Sequence, residues 1–440
     1  MALFGRRKKA APTPEVEEAP AILPEPPAPN ADGLRDWQAQ REWVLDQIEP
    51  LPPFGMQVID ALRLSLCEDI EADISLPGFD NSAMDGYAVQ AADTWNASEK
   101  APSVLAVVGE IAAGTVADRA LAPGTAMKIM TGAPMPEGAD AVVQYELTDR
   151  GTEDVQIFAQ VEQGKNIRSK GSDISEGEHL LSAGLQIDSR TVGLLAGVGI
   201  DKVLVRPRPR VVVISTGSEL VEPGLPLDDN GQLYDSNSYM LAAAAKAAGA
   251  QVFRVGVVGD DEEAMANTIS DQLVRADLIV TSGGISQGDW DVVKAVAPSL
   301  GLVDFTQVAM QPGKPQGFGL IGEDRIPMLM LPGNPVSSFV SFEVFVRPVI
   351  RKLMGVQPLY RQPIRAVTNT IVRSSPGRAQ FLRGEVRTDP GGRHTVDLIG
   401  GPGSHLLGSL QKSNALVVLD ADTEVIPAGH TVTTWMLTDD

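Results

Sequence analysis

The sequence contains few residues that build disulfides or nitrogen and sulfur metal sites. Cys67 is the only cysteine among 440 residues, which excludes internal disulfides and thiolate metal clusters. The four histidines show no pair four residues apart, so a histidine metal site or a Ser-His-Asp triad finds little support: His179, His394, His405 and His430. No apolar run approaches the roughly 20 residues that cross a bilayer. We therefore expect a soluble, cytoplasmic protein with surface histidines and no membrane contact.

Positive charge is also scarce. The chain has 36 Lys and Arg against 57 Asp and Glu, giving a formal net charge of -21. Such a balance repels a nucleic-acid backbone, so nucleic-acid binding is disfavoured. Many acidic proteins owe their charge to solubility alone, although carboxylates also suit divalent cations. Charge by itself does not decide the function.

The composition changes along the chain predict four regions. Residues 1–35 form a head with a basic tetrad, Arg6 to Lys9, followed by Ala, Pro and Glu, and we expect it to be disordered. It lacks the continuous apolar core of a secretory signal. Residues 36–205 begin with an amphipathic helix ending before Pro50 and continue as short apolar runs typical of β-structure. The Arg-Pro alternation at 206–210 marks the next boundary.

Residues 206–356 alternate strands with helices, which predicts a parallel α/β sheet. The expected strands are 211–214, 252–258, 278–281, 303–308 and 328–331, and the expected helices are about 237–248, the segment after Asp261, 291–297 and 336–354. Residues 357–440 contain short strands such as 415–419 and 431–436. They predict a small terminal β domain.

Three glycine-containing turns each follow a predicted strand of the α/β region. They are Ser215-Thr216-Gly217-Ser218-Glu219, Thr281-Ser282-Gly283-Gly284 and Pro332-Gly333-Asn334-Pro335. The carboxyl ends of parallel strands share one edge, so the three turns can converge on one ligand. The helix starting near Val336 would direct free N–H groups at an anion. None of the turns matches a Walker or GxGxxG pattern, and each alone could be a plain tight turn.

Carboxylates also lie just beyond the predicted strands or in the loops after them. Glu219, Asp260, Asp261, Asp289 and Asp291 lie in turns where clustered oxygens would suit Mg²⁺ with phosphates and water. Asp260, Asp261 and Asp289 also precede helices and could simply cap them. Two alternatives likewise stay open for Lys314 in the rigid loop 311–315: a phosphate contact or a solvated lysine.

The β-rich region contains polar turn segments at 80–88, 130–140, 166–168 and 171–174, which local physics alone leaves as surface turns. Together with the α/β turns, however, they resemble the molybdopterin molybdenumtransferase family, to which MoeA and the gephyrin E domain belong. The segments that carry the resemblance are 77–89, 130–134, 166–168, 171–174, 215–220, 282–286, 312–315 and 331–337. Their order and spacing cover the chain from about Trp37 to the C-terminus, and the first is close to diagnostic.

The resemblance implies a fold of four parts: a β-rich linker domain, an inserted β domain, a parallel α/β molybdopterin-binding domain similar to MoaB and Mog, and a C-terminal β barrel. It implies a homodimer with the site in a cleft between subunits. It also implies that molybdate is inserted into adenylated molybdopterin while the pyrophosphate is cleaved in the presence of Mg²⁺. A molybdopterin adenylyltransferase would supply that substrate.

The resemblance also assigns expected roles to residues. Catalytic roles fall on Asp85, Thr131, Asp173, Glu219, Asp260 and Asp291. Of these, Glu219, Asp260 and Asp291 would hold Mg²⁺, whereas Asp85, Thr131 and Asp173 would come from the partner subunit. Substrate binding is expected at Ser82, Arg168, Thr216, Gly217, Ser218, Ser282, Gly283, Gly284, Lys314, Pro332, Gly333, Asn334, Pro335 and Ser337.

One feature departs from the family pattern. Many members carry lysines where this chain has Gln307 and Gln311, and glutamine cannot neutralise an oxyanion. We expect weaker or redistributed anchoring of molybdate or phosphate, with Arg168 or Lys170 as replacements.

Two alternative functions can be distinguished from the sequence. A molybdopterin adenylyltransferase uses a related α/β domain but has no need of segment 80–89 or of the long β-rich region. A scaffold that keeps the fold without turnover would not need the matched acids, all of which are present.

Overall fold

The computed structural model describes residues 22–228, 231–285 and 291–438. The chain divides into two compact units. Unit 1 contains the described residues up to Leu51 and those from Pro207 onward, and unit 2 is Pro52–Arg206. Most of the head that we expect to be disordered lies outside the described residues. At the end of the head, Arg35 forms an ion pair with Asp304 of unit 1, with Nη1–Oδ2 at 2.5 Å. Within the described ranges, no helix is long and apolar enough to span a membrane.

The first helix, α1 (Trp37–Asp46), begins at Asp36, whose carboxylate accepts the N–H groups of Gln38 and Ala39. The ring of Trp37 packs edge-on against Phe381 at 5.3 Å. The sequence suggested that α1 belongs with the β-rich segment that follows it. Instead α1 belongs to unit 1, because its buried aromatic contacts outweigh its proximity in sequence to that segment.

Unit 2 is β-rich, as expected. Its elements are β1 (Phe54–Gln57), β2 (Ile70–Glu71), β3 (Asn81–Ser82), β4 (Gly86–Val89), β5 (Ser103–Ile111), β6 (Thr125–Ile129), β7 (Ala141–Gln144), β8 (Asp154–Ile157), β9 (Ile167–Arg168), β10 (His179–Leu181), α2 (Ser189–Gly197) and β11 (Lys202–Val205). Short 3₁₀ helices span Ala91–Thr94 and Tyr145–Leu147. Five strands form a sheet in the order β7-β4-β6-β5-β8.

Unit 1 continues with β12 (Arg210–Thr216), β13 (Leu220–Val221), β14 (Leu233–Tyr234), α3 (Asn237–Ala247), β15 (Gln251–Val258), α4 (Glu262–Leu273), β16 (Leu278–Ser282), α5 (Val292–Leu300), β17 (Gly301–Gln307), β18 (Met310–Gln311), β19 (Pro315–Ile321) and β20 (Ile326–Leu331). Six described strands form one sheet in the order β15-β12-β16-β20-β19-β17. The first four run parallel, which confirms the expected α/β core.

The last two strands of this sheet run antiparallel to their neighbours, so the expected parallel pairing holds for the first four strands and does not extend to β19 and β17. The strand β19 was not predicted from the sequence, because the proline and two glycines of this segment weaken the strand pattern. The glycines serve close packing: a Cβ on Gly317 would lie 2.9 Å from the ring of Phe305.

The helix expected at 336–354 is present with an irregular middle. It consists of α6 (Pro335–Ser341), a π-helical turn (Phe342–Val346) and α7 (Arg347–Leu353). The β domain that follows contains β21 (Pro363–Thr368), β22 (Val372–Arg373), β23 (Ala379–Thr388), β24 (His394–Leu398), α8 (Leu407–Lys412), β25 (Ala415–Leu419), β26 (Val425–Ile426) and β27 (Thr431–Met436). The order β23-β24-β21-β27-β25, with β25 pairing back to β23, closes a five-stranded barrel as expected.

Candidate active site

The three glycine turns at the ends of β12, β16 and β20 converge on one cavity of about 810 Å³ in unit 1. This placement follows from the parallel pairing of the three strands, whose carboxyl ends share an edge. Most of the expected binding residues of unit 1 line it: Thr216, Gly217, Ser282, Gly283, Gly284, Pro332, Gly333, Asn334, Pro335 and Ser337. We call this space the acidic cavity, because its charged side chains are carboxylates.

Glycine is required where the first two turns meet. Gly283 has φ +98°, and a Cβ there would lie 2.8 Å from the carbonyl oxygen of Thr216. The hydroxyl of Thr216 is buried and has no hydrogen-bond partner among the described residues. Because Gly283 lies so close to Thr216, this hydroxyl lies in the floor of the acidic cavity.

Two of the expected metal ligands line the acidic cavity. Glu219 is exposed there, and Asp260 accepts hydrogen bonds at Oδ2 from the backbone N–H and hydroxyl of Ser218, at 3.0 and 2.8 Å. Asp260 thereby ties the first turn to the loop after β15. Because these bonds use Oδ2, Oδ1 stays available to a cation.

The third expected ligand is placed differently. Asp291 occupies the N-cap position of α5 and does not line the acidic cavity. Asp289 lies outside the described residues, and Asp261 caps α4 by accepting the N–H of Ala264 at 2.7 Å. Across the described ranges there is no group of three or more His, Cys, Asp or Glu placed to hold a metal ion. The expected three-carboxylate set is therefore not assembled in this structure.

The structure adds a third carboxylate, Asp235, that the sequence analysis missed. Its side chain is 1% exposed, lines the acidic cavity and accepts hydrogen bonds from Ser215 and Ser238. The guanidinium of Arg254 lies 3.8 Å from it. Among the described lining residues there are thus three carboxylates, Glu219, Asp235 and Asp260, and no lysine or arginine.

Two further lining residues were also missed. Asn237 donates its amide N–H groups to the hydroxyl of Ser282 at 2.9 Å and to the carbonyl of Gly333 at 2.6 Å, so it joins the second and third turns. His405 reaches the cavity from the C-terminal domain. In sequence, Asn237 resembles the start of a helix and His405 a surface histidine, so only the fold reveals their place.

The helix beyond the third turn offers fewer anion-binding groups than expected. Pro335 has no N–H, and the N–H of Val336 donates to the carbonyl of Ser404 at 2.9 Å. The N–H of Val336 is therefore not free for an anion, although the sequence pattern indicated free N–H groups at this helix start.

A second cavity of about 530 Å³ shares Ile285 and Pro315 with the first. Its charged lining residues are Arg35, Lys294 and Lys314, and no described aspartate or glutamate lines it. Gln307 also lines this basic cavity. The charge of Arg35 is already paired with Asp304, so the positive charge that the basic cavity offers to a ligand comes from Lys294 and Lys314.

In unit 2, Asp85 and Thr131 meet although 46 positions separate them. Oδ1 of Asp85 accepts the backbone N–H of Thr131 at 2.7 Å and its hydroxyl at 2.9 Å. The backbone hydrogen bond, reinforced by the hydroxyl, holds the pKa of Asp85 below its ordinary value. Asp85 is therefore a carboxylate at neutral pH.

The other expected residues of unit 2 lie in segments 80–85, 131–134 and 166–173, which are hydrogen-bonded to one another. Arg168 pairs with Asn81 between β9 and β3. Ser82 is fully buried and donates its hydroxyl to the carbonyl of Met84, so it shapes the turn. Asp173 is exposed, and its N–H donates to the carbonyl of Leu76. The four polar segments that local physics left as separate turns are thus brought together.

Comparisons with known proteins agree with this architecture. Three family models match in succession: the MoeA N-terminal region (domains I and II) over residues 35–199, a probable molybdopterin-binding domain over 212–352, and the MoeA C-terminal region (domain IV) over 365–437. Among solved structures, the molybdopterin biosynthesis MoeA protein of Pyrococcus horikoshii superposes with a TM-score of 0.78 and 32% identity, covering 92% of this chain and 99% of that one.

The fold and cavity thus define a multidomain protein built around a molybdopterin-binding α/β domain. Molybdopterin molybdenumtransferase 2 of Mycobacterium tuberculosis H37Rv is 43% identical over 411 residues, covering 92% of this chain and 100% of the relative. The Haemophilus influenzae molybdopterin molybdenumtransferase is 35% identical over 396 residues, covering 89% and 96%. The chain belongs to the molybdopterin molybdenumtransferase family, whose members are transferases of molybdenum cofactor biosynthesis.

Proposed function

We propose that this chain inserts molybdate into adenylated molybdopterin, cleaves the pyrophosphate bond and releases AMP together with molybdenum cofactor. The observation that carries the proposal is the acidic cavity, where three glycine turns of a molybdopterin-binding domain meet carboxylates. The names of the curated relatives support the same reaction. We place the reaction in the cytoplasm, with a molybdopterin adenylyltransferase as the source of the substrate.

The donor set of the acidic cavity fits Mg²⁺. A phosphate group entering a cavity with three carboxylates and no lysine or arginine is repelled unless a cation accompanies it. Glu219 and Asp260 would hold the ion, with phosphate oxygens and water completing its shell, and Asp291 would join from the start of α5. When bound, the ion supplies positive charge at the pyrophosphate oxygens.

Binding of AMP is therefore expected to depend on Mg²⁺. Removing the ion with EDTA should weaken AMP binding about tenfold or more, because the phosphate would then face the carboxylates of Glu219 and Asp260 without a bridging cation. Isothermal titration calorimetry measures this directly, with uncharged adenosine as the control ligand. An AMP affinity that is equal with and without Mg²⁺ would contradict the proposed metal site.

We also propose that the basic cavity receives an oxyanion, molybdate or a substrate phosphate. Lys314 was expected in this role, and Lys294 replaces the positive charge that Gln307 and Gln311 do not provide. Lys294 was not considered from the sequence, where Arg168 and Lys170 of unit 2 were the suggested replacements. The two cavities meet at Ile285 and Pro315, which supports an oxyanion in the basic cavity beside a Mg²⁺-bound phosphate in the acidic cavity.

Changing Lys294 to Gln is expected to raise the molybdate concentration for half-maximal turnover about fivefold at low salt and less at high salt, since an exposed charge is screened. Lys412→Gln is the matched control, because Lys412 is also exposed and helical but lines neither cavity. Equal molybdate dependence in the Lys294→Gln variant and the wild type would contradict the proposal that Lys294 replaces the missing positive charge.

We infer that the protein acts as a homodimer and that the partner subunit's Asp85, Thr131 and Asp173 complete the site. The lowered pKa of Asp85 keeps its carboxylate ionised and weakly basic, which supports a role as hydrogen-bond acceptor, and not as acid or base, during the exchange of molybdate oxygens for dithiolene sulfurs. Thr131 fixes the orientation of that carboxylate through two hydrogen bonds.

A further inference from the structure

Two consecutive apolar side chains of the acidic cavity are exposed. Leu233 is 59% exposed and Tyr234 46% exposed, and both line the cavity. Most of the other lining residues are glycines, hydroxyls and carboxylates. Large apolar groups that stay uncovered inside a polar cavity indicate a surface for the apolar part of a ligand. We call Leu233 and Tyr234 the ledge.

The ledge is attached to the first glycine turn. The N–H of Leu233 donates to the carbonyl of Glu219 at 2.8 Å, and β13 and β14 pair in parallel with Val221 opposite Tyr234. Neighbouring strands lie roughly 4.8 Å apart. The ledge therefore lies one strand spacing from the backbone that carries the candidate Mg²⁺ ligand Glu219, within reach of a ring joined to a phosphate through one sugar.

The polar tip of Tyr234 is already satisfied. Its hydroxyl donates to the carbonyl of Leu225 at 2.9 Å, which orients the ring without a ligand. The remaining recognition element is the face of the ring, which interacts with flat π-systems of any heterocycle. A stacked planar group needs no hydrogen bond from this tyrosine.

We propose that the ledge binds a planar nitrogen heterocycle of the phosphate-bearing substrate by stacking on Tyr234. This inference rests on the proposed function and names the substrate group that this part of the cavity takes. Both adenine and pterin have the required chemistry.

The test compares Tyr234→Leu and Tyr234→Phe by calorimetry in the presence of Mg²⁺. Three probes are titrated: AMP, ribose 5-phosphate, which lacks the base, and 6-hydroxymethylpterin phosphate. Tyr234→Leu is expected to weaken binding of AMP or of the pterin phosphate about tenfold while leaving ribose 5-phosphate unchanged. Tyr234→Phe, which keeps the ring face, should bind nearly as the wild type does. The probe that responds identifies the heterocycle.

Two negative outcomes have different meanings. If the wild type binds the probes and Tyr234→Leu binds them with equal affinity, the proposed stacking on the ledge is overturned while the proposed function stands. A wild type that binds no phosphate-bearing probe with Mg²⁺ overturns the proposed function and the ledge together. Equal thermal unfolding of variants and wild type confirms that the comparison reports binding and not folding.

Discussion

Replacing Glu219 with glutamine is expected to slow AMP release about 100-fold or more, because the side chain keeps its shape but loses the charge that holds Mg²⁺ at the pyrophosphate. Glu219 is exposed in the acidic cavity, so the substitution leaves the packing of the α/β domain unchanged. Single-turnover measurement at increasing Mg²⁺ should show a higher half-saturating concentration as well as a lower maximal rate.

A matched control separates this effect from a general loss of charge. Glu323→Gln removes an exposed glutamate of the same unit that lines neither cavity, and its rate should equal that of the wild type. Wild-type AMP release by Glu219→Gln at limiting Mg²⁺ would remove Glu219 from the metal site.

Mixing Glu219→Gln with Asp85→Asn is expected to restore activity that each variant lacks alone. If the partner subunit's Asp85 completes the site, a mixed dimer contains one site with both residues intact. Random exchange in a two-fold dimer makes about half of the dimers mixed, so roughly a quarter of wild-type activity should return. In Asp85→Asn, the amide oxygen can still accept both hydrogen bonds from Thr131, which preserves the local fold.

The control mixture combines Glu219→Gln with Asp260→Asn. Glu219 and Asp260 of one chain line the same acidic cavity. In a mixed dimer each of the two cavities therefore carries one substitution, so no site is intact and the dimer should stay inactive. Native mass spectrometry establishes that mixed dimers form. No recovery in the first mixture, despite mixed dimers, would contradict a site shared between subunits.

The sequence predicted the acidic cavity where local rules and sheet geometry agree. Three apolar strands ending in glycine turns must place those turns on one edge when the strands run parallel, and the structure confirms this convergence. The same rules missed β19, because Pro315, Gly317 and Gly319 carry no strand signal. The two glycines let neighbouring side chains pack closely, since a Cβ at either position would lie within 3 Å of one.

Long-range contacts explain what the sequence could not predict. The sequence around Asp235 and Asn237 indicates only the start of a helix, whereas in the structure both residues line the acidic cavity. The N–H of Val336 appears free in a helix pattern, but the carbonyl of Ser404, far along the chain, accepts it. The hydrogen bond between Asp85 and Thr131 has no periodic signal, and the family resemblance gave each residue a role without predicting their contact. The position of Lys294 beside Gln307 and Lys314 in the basic cavity likewise depends on tertiary contact between α5 and the strands.

The proposed reaction is best tested by a single turnover of the purified protein with adenylated molybdopterin, Mg²⁺ and molybdate, in which AMP and mature cofactor are followed together. AMP should appear only when molybdate is present, in equal amount to the molybdenum cofactor formed. Tight binding of the adenylated substrate without AMP release, at any molybdate concentration, would contradict it and indicate a binding protein that keeps the family fold.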